Sequence, residues 1–499
     1  MSMSSRDAVT AVRRFGLGPK PGGIQRIAAD PRGFVLQSLD RPLAARITDS
    51  SLEASHSVIV RAHHANIEQQ TMRAFGEGQD KSAAASNRMQ RDRMQDAAPE
   101  SMSTATAAPA PSSAAGASKT VAEAVNKPRQ VRLEAYQREL AARIDHARWT
   151  EDPLIERLVL FWSNHFSVNA DKGGLLGIVG AFEREAIRPH VLGRFSDMLL
   201  AVEQHPAMII YLDNQASTGP NSQAGRNRKI GLNENLAREI LELHTLGVDG
   251  GYSQADVTNL ARLITGWTVG YPNQPNVEHG RFNFAAARHE PGMHVVLGKR
   301  YGEAGVEGGR KCLIDLARHP STARHIARKL AVHFVSETPP DGLVAQLEKT
   351  FRDTDGDLAA VARALAGADE AWSTPPRKVV PPYDFVIALQ RAFGLEQIPV
   401  LERARVMGLL GQPMWRPPSP KGWPDADETW AGPSVLRERL RVAERVSVPI
   451  VQQGKDARQM AEELFASGLS ADTRQAIARA EAREQAMALL IMSPEFQRR

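Results

Sequence analysis

The sequence predicts an all-α protein, a multi-helix globular domain with long loops. Three observations carry that prediction. The chain is rich in Ala, Leu, Arg and Glu, while aromatic residues make up only 6%, a balance that favours helix over a β-sandwich. From residue 129 onward, apolar residues recur at spacings of three and four. No alternating run competes with them, and the best strand candidate, Val295-Val296-Leu297, is short.

Composition excludes several classes. With 42% hydrophobic and 24% charged residues over 499 positions, the chain is globular and can bury a substantial core. A single cysteine, Cys312, rules out a disulfide framework and a Cys-rich zinc module. Sixty-two basic residues against 57 acidic ones leave a net charge of +5, so no nucleic-acid partner is expected. No run of 18 apolar residues occurs, and no membrane span is expected. The N-terminus lacks the apolar core of a signal peptide. Arg13-Arg14 runs into the turn Phe15-Gly16-Leu17-Gly18-Pro19 rather than a leader. A cytoplasmic location is the default, with export alongside a partner left open.

In order, residues 1–75 read as an N-terminal helical part of the main domain, with a Gly/Pro-rich loop at 16–23. Residues 76–128 read as a low-complexity, disordered insert, since 97–118 is almost entirely Ala, Ser, Thr, Pro and Met. Residues 129–499 form the main helical domain. Over 129–150, Leu133, Tyr136, Leu140 and Ile144 make an amphipathic stripe. Asp152-Pro153 supplies a start signal for the helix carrying Leu154, Leu158, Phe161, Trp162 and His165. Further helices are predicted over 176–188, 195–204, 207–212, 234–246, 254–265, 309–318, 321–336, 343–353, 358–367, 384–393, 400–410, 434–447, 457–465 and 471–492. The stretch Asp353 to Asp357 mimics a calcium loop, but Leu358 and Ala364 occupy its sixth and twelfth positions, so Asp357 reads as a helix cap instead.

The most informative stretch runs from Tyr211 to Trp267. Asp213-Asn214 opens a long polar loop, and Asn233 and Glu234 begin the helix that closes it, with Asn233 as N-cap. At 100° per residue, Asn235, Arg238, Glu239 and Glu242 share one face, and Leu236, Ile240 and Leu243 another. The plainer reading is a solvated face with an ion-pair lattice. The sharper one is an acidic site for a divalent metal or for acid–base work, with Arg238 holding an anion. Next along the chain, Ser253 and Asp256 form a capping-box start, which gives Asp256 a structural task.

His165 sits beside Phe161 and Trp162, where a histidine is usually a satisfied core residue. Its functional reading has Asn164 orienting the ring, as partners of metal ligands do. His289 and His294 match no standard zinc spacing, and His205 and His244 read as structural or surface residues. Trp415, Trp423 and Trp430 fall in a Pro/Gly-rich loop at 411–430, which is either packed rigidly on the core or a lid and stacking surface for sugar rings or a partner.

Six stretches together carry a resemblance: 14–19, Phe161-Trp162-Ser163-Asn164-His165-Phe166-Ser167-Val168, 206–214, 233–267, 328–335 and 411–430. On them the chain resembles the domain of unknown function 1800 family. The resemblance implies a helical fold and transfers no activity. Members often carry His-Asp with Lys four residues on, before Leu-Gly. Here the pattern is His289-Glu290 with His294 before Leu297-Gly298, which leaves His289 as the matching position. Gene neighbourhoods in the family imply a protein partner of the domain of unknown function 1501 family, whose members resemble phosphatases and sulfatases.

Three readings follow. The first is a metal-assisted hydrolase or lyase on a carbohydrate or anionic substrate. In it His165, Arg238, Glu239 and Glu242 are catalytic, and Asn164, Asp213, Asn214, Asn233, Glu234, Asn235, His289 and Trp423 bind. The second is a non-enzymatic partner or assembly factor for the phosphatase- or sulfatase-like protein. The third is a purely structural polar cluster.

Overall fold

The computed structural model describes residues 3–74, 113–227, 231–302 and 305–499. Helix makes up 64% and strand 4%, so the chain is mostly helical. Buried apolar side chains from Ala8 on α1 (Met3–Arg13) to Phe496 form one contiguous core. Among the described residues, no helix is long and apolar enough to cross a membrane.

Helix α2 (Ser113–Trp149) begins before residue 129, so the expected insert is helical from Ser113 on, and its residues 76–112 lie outside the described residues. Tyr136, Leu140 and Ile144 are buried as predicted, but Leu133 is exposed, because at that end the helix buries its opposite side, where Val131 packs with Ala62 and Ala65. Helix α3 (Pro153–His165) buries its whole predicted apolar set. Asp152 stands at the cap position without capping, because its carboxylate accepts from Arg41 at 3.0 Å.

Helix α3 also buries Glu156 and Arg157. Buried charges must be paired and hydrogen-bonded. Glu156 accepts from Arg188 at 2.7 and 2.8 Å, and Arg157 donates to Asp384 at 2.8 Å. That demand explains why residues 176–188 do not form the single helix predicted. The segment is a short α-turn (Val179–Phe182), a π-turn (Glu183–Ile187) and a 3₁₀ turn (Arg188–His190). Residues five apart face one another across a π-turn, and Arg188 donates to Glu183 there at 2.9 and 3.1 Å.

Helix α4 (Phe195–Glu203) leads toward the polar loop, which ends at α5 (Asn235–Glu239). Here the 234–246 prediction is corrected, since Ile240–His244 is a π-turn closed by the Thr245 hydroxyl on the Ile240 carbonyl at 2.6 Å. The extra residue turns Leu241 and His244 into the core and leaves Leu243 only half-buried. Helix α6 (Gln254–Leu263) starts with the predicted capping box.

Two small antiparallel hairpins follow. β1 (Trp267–Val269) pairs with β2 (Phe282–Phe284), Trp267 opposite Phe284. β3 (His294–Val296) pairs with β4 (Lys299–Tyr301), His294 opposite Tyr301. Leu297 and Gly298 both have positive φ, the requirement of a two-residue primed turn. Asp256 Oδ1 accepts the Leu297 N–H at 2.7 Å, so the capping aspartate also holds this hairpin.

Helices α7 (Pro320–Phe334), α8 (Pro382–Phe393) and α9 (Pro433–Gln452) complete the frame around the site. Asp357 caps the helix Leu358–Gly367, accepting from the Ala360 N–H as predicted. The helix predicted over 471–492 splits into Ala471–Ala478 and Arg483–Met492, with the Glu481 N–H donated to Gln485 at the break.

Candidate functional site

The end of α3 and the residues after it clamp the tryptophan loop. Asn164 Nδ2 donates to the Trp423 carbonyl at 2.9 Å, and the Trp423 N–H donates to Asn164 Oδ1 at 2.7 Å. Ser167 Oγ donates to the Pro420 carbonyl at 3.0 Å, and Asn169 Nδ2 to that of Pro417 at 2.8 Å. Gly422 has φ +85°, and a Cβ there would stand 2.4 Å from the Asn164 carbonyl oxygen. Asn164 therefore closes the loop rather than orienting His165.

A cavity of about 100 Å³ lies beneath that loop. Val179, Phe182 and Ile187 form its apolar side, and Trp415, Trp423 and Trp430 lie on the loop side. Arg143 is stacked between Tyr383 and Trp415, with Cζ 4.8 and 5.3 Å from the two ring centroids, and is ion-paired to Glu183 at 2.9 Å. Three buried polar atoms of the lining residues have no partner: Tyr383 Oη, Trp415 Nε1 and His333 Nε2. Such atoms are costly to bury unless water or a ligand meets them.

His333 is held through its other nitrogen, Nδ1, which lies 3.1 Å from Asp425 Oδ1. An aspartate there takes the Nδ1 proton and leaves Nε2 as a lone-pair acceptor. Burial pushes the His333 imidazole down to about 4 against the pull of Asp425. Asp425 itself stays well below the usual carboxylate range. Burial raises it, but His333, Lys378 and Arg499 prevail.

His165 belongs to a neighbouring cluster. Its Nε2–H donates to the His244 carbonyl at 3.1 Å, and Lys329 Nζ donates to its Nδ1 at 2.9 Å. Burial and then Lys329 hold its imidazole far below the ordinary value. Both ring nitrogens are occupied, so none remains for an ion shared with Glu239. Behind it, the His244 Nδ1–H donates to the fully buried Glu203 at 2.7 Å. Burial also draws Lys329 down to about 8, and burial and Lys329 draw His325 down to about 4.

The α5 face is largely the ion-pair lattice. Glu234 accepts from Thr258 at 2.7 Å, Gln254 at 2.8 Å and Arg238 at 3.3 Å, tying α5 to α6. Arg238 also donates to Gln254, Glu242 accepts from the Tyr252 hydroxyl at 3.3 Å, and Asn235 is exposed. Burial holds Glu239 above the ordinary glutamate range, with His244 opposing and Glu242 adding to it. Among the described residues, no group of three or more His, Cys, Asp or Glu side chains is arranged to hold a metal ion. Glu239 and Glu242 therefore have no third such side chain grouped with them among the described residues.

The remaining candidates shape the polar loop. Asp213 sits at φ +57°, ion-paired to Lys172, and its carbonyl accepts from Asn233. Asn233 Oδ1 accepts from the Asn235 N–H at 2.9 Å and so joins loop to helix, but the cap position falls one residue later than predicted, on Glu234, whose side chain makes no capping bond. The buried Asn214 donates to the Ile264 and Trp267 carbonyls. His289 Nδ1 meets the Thr265 carbonyl at 3.1 Å, and its ring stacks edge-on against Phe284. The stronger anchor is its neighbour Glu290. This buried carboxylate accepts from the Asn221 N–H at 2.9 Å and the Asn221 amide at 2.6 Å.

The family model described as protein of unknown function (DUF1800) matches residues 10–498. This chain belongs to the DUF1800 family. No curated protein and no solved structure matches it.

In this DUF1800 chain the structure brings Asn164 to Trp423, Glu234 to Arg238 and Asn233 to Asp213, but it does not gather the twelve candidates into one site. The residues around the cavity that sequence reasoning missed are Arg143, His333, Tyr383 and Asp425, with His325 and Lys329 beside them. A signal was present, because His325, Lys329 and His333 recur every four residues on α7 and so lie along one face. Arg143, Tyr383 and Asp425 come from distant segments and carry no common spacing.

Proposed function

We propose that this protein is an enzyme, a hydrolase or lyase, that holds a small carbohydrate-like substrate under the tryptophan loop and uses His333 as its general base. The observation that carries the reading is the His333–Asp425 pair. A neutral imidazole is oriented through Nδ1 by a carboxylate, with an unpartnered Nε2 on a residue that lines the cavity. That is the arrangement a general base needs to take a proton from water or from a substrate.

The charged wall favours a neutral substrate over an anionic one. Arg143 is already paired with Glu183, Asp384 with Arg157, and Asp425 with His333. The lining residues also keep two buried polar atoms without a partner, Tyr383 Oη and Trp415 Nε1, which a small side-chain shift would bring to a bound molecule, beside aromatic and aliphatic surface. Hydroxyl-bearing rings match both requirements. Lys329, half-buried and hydrogen-bonded to His165, adds a second titratable group near Asp425.

The test is a thermal-shift and turnover screen of neutral mono- and disaccharides, their glycosides and their esters. A true ligand raises Tm in the wild type and loses that effect in Tyr383→Phe. Turnover of it falls at least about 100-fold in His333→Asn. A ligand turned over equally by a folded His333→Asn variant, or no shift from any member of the panel, would contradict the reading.

A further inference from the structure

Helix α2 works on two sides. Arg143 lines the cavity under the tryptophan loop. On the opposite side of the same helix, Arg138, Ala141, Asp145 and Trp149 recur at spacings of three and four and line an open groove of about 670 Å³. Ala141 and the adjoining Ala142 carry only a methyl group each, which leaves the floor deep. The facing wall is the segment 43–51, including Leu43, Ile47, Thr48 and Asp49. That wall is fixed to the body. His146 Nε2–H donates to the Ala44 carbonyl at 3.1 Å, and Arg188 donates to the Ala45 carbonyl at 2.9 Å. Asp49 Oδ1 accepts from the Ser51 N–H at 2.8 Å and shapes the turn.

Trp149 closes α2 and is 59% exposed. Its ring is nonetheless held. The buried Arg148 stacks on one face with Cζ 4.1 Å from the centroid, and Arg148 Nη2 donates to Glu396 at 2.9 Å. One face of the indole is therefore occupied, and the exposure belongs to the other. Nor is the ring an isolated apolar residue, because Leu43, 67% exposed, stands on the facing wall. Arg46 and Arg138 balance Asp49 and Asp145, so the lining carries no net charge.

We infer that this groove is a surface binding site for a neutral saccharide chain, with one pyranose ring stacked on the open face of Trp149. A pyranose presents C–H groups on its face, which meet the negative face of an aromatic ring. Its hydroxyls project from the rim, where Arg46, Thr48 and Asp145 stand as donors and acceptors. A fixed ring loses little entropy on binding. Nucleic-acid bases also stack on tryptophan, but their phosphates require a positive surplus that this groove lacks. A bound peptide strand requires a free sheet edge, and a bound helix a continuous apolar floor; the groove offers neither. The choice of a saccharide among neutral ring compounds rests on the proposed function, whereas the place of the site does not. The groove and the cavity lie on opposite sides of one helix, roughly 10 Å apart, so a chain held in the groove keeps sugar units concentrated around the cavity.

The test is affinity electrophoresis of the full chain in native gels, run toward the cathode at pH 7 because the net charge is +5. The gels contain soluble starch, dextran, hydroxyethylcellulose or glucomannan. At least one polymer should retard the wild type. Trp149→Ala and the groove-filling Ala142→Arg should each raise its dissociation constant at least about tenfold, with circular dichroism checking that both fold. Tyr383→Phe, altered only at the cavity, should be retarded like the wild type. No retardation by any of the four polymers would overturn the inference, and the cavity reading, tested on small sugars, would be untouched. Retardation that survives in Trp149→Ala but is lost in Tyr383→Phe would also overturn it, by placing the saccharide in the cavity instead.

Discussion

Replacing Asn164 by alanine removes both hydrogen bonds that close the tryptophan loop on α3, one donated to the Trp423 carbonyl and one accepted from its N–H. At about 1 kcal/mol net for each bond, the closed loop loses about 2 kcal/mol. A chain of 499 residues that unfolds as a unit has an unfolding entropy near 1 kcal/mol/K at Tm, so Tm should fall by about 2 °C. The local effect is larger. The same 2 kcal/mol multiplies the open population of the loop by roughly 30, and Lys421 lies exposed within it. Limited trypsinolysis under native conditions should therefore cut after Lys421 roughly 30-fold faster in Asn164→Ala than in wild type. Ser167 and Asn169 still hold the Pro417–Pro420 end, so the fold itself should survive, as circular dichroism can verify. An unchanged Tm together with an unchanged cleavage rate would show that Asn164 does not close the loop.

Three further outcomes are expected. The imidazoles of His333 and His325 are lowered to about 4 by burial; between their unfolded value near 6.5 and pH 4 the unfolded chain binds protons that the native chain refuses. Stability is therefore full above about pH 6.5 and falls as pH drops through 4, by on the order of 2–3 kcal/mol for each histidine. Urea titrations from pH 8 to 4 should follow that slope, and a stability flat across the window would contradict it. Glu290→Gln puts an amide where the buried carboxylate accepts two Asn221 hydrogen bonds; it should cost about 2–3 kcal/mol in urea unfolding, and a loss under about 0.5 kcal/mol would deny the anchor. Arg238→Ala removes a part-exposed pair of the i,i+4 type and an exposed hydrogen bond to Gln254; it should cost less than about 1 kcal/mol and leave turnover of any substrate intact, and a large loss of turnover would return function to the α5 face.

The helical class was legible because most of the helices carry a clean three-four spacing, and Ser253–Asp256 and Asp357 announce their caps outright. The π-turns at 183–187 and 240–244 were not legible. Their extra residue goes with partners from distant segments, Glu156 on Arg188 in one and Glu203 on His244 in the other, and a 3.6-residue period cannot register it. The charged face of α5 was read in the right place, and its plainer reading as an ion-pair lattice describes Glu234 and Arg238 well. Asn164 was singled out for the wrong neighbour. Its partner is 259 residues away in sequence, and nothing in the local spacing distinguishes a residue that orients His165 from one that reaches Trp423. The four-residue recurrence of His325, Lys329 and His333 was visible, but Asp425 reaches that face from a loop 92 residues beyond His333. A histidine becomes a candidate base only once its carboxylate is known.

The most direct measurement is the protonation state of His333, read by nitrogen NMR on protein labelled at histidine and assigned with His333→Asn. The expected spectrum is a neutral ring with the proton on Nδ1 and a bare Nε2, unchanged from pH 8 down to about 5, as a value near 4 requires. Binding of a true ligand should then move the Nε2 resonance. A His333 ring that is doubly protonated at pH 7, or that carries its proton on Nε2, would contradict its assignment as the base of this cavity.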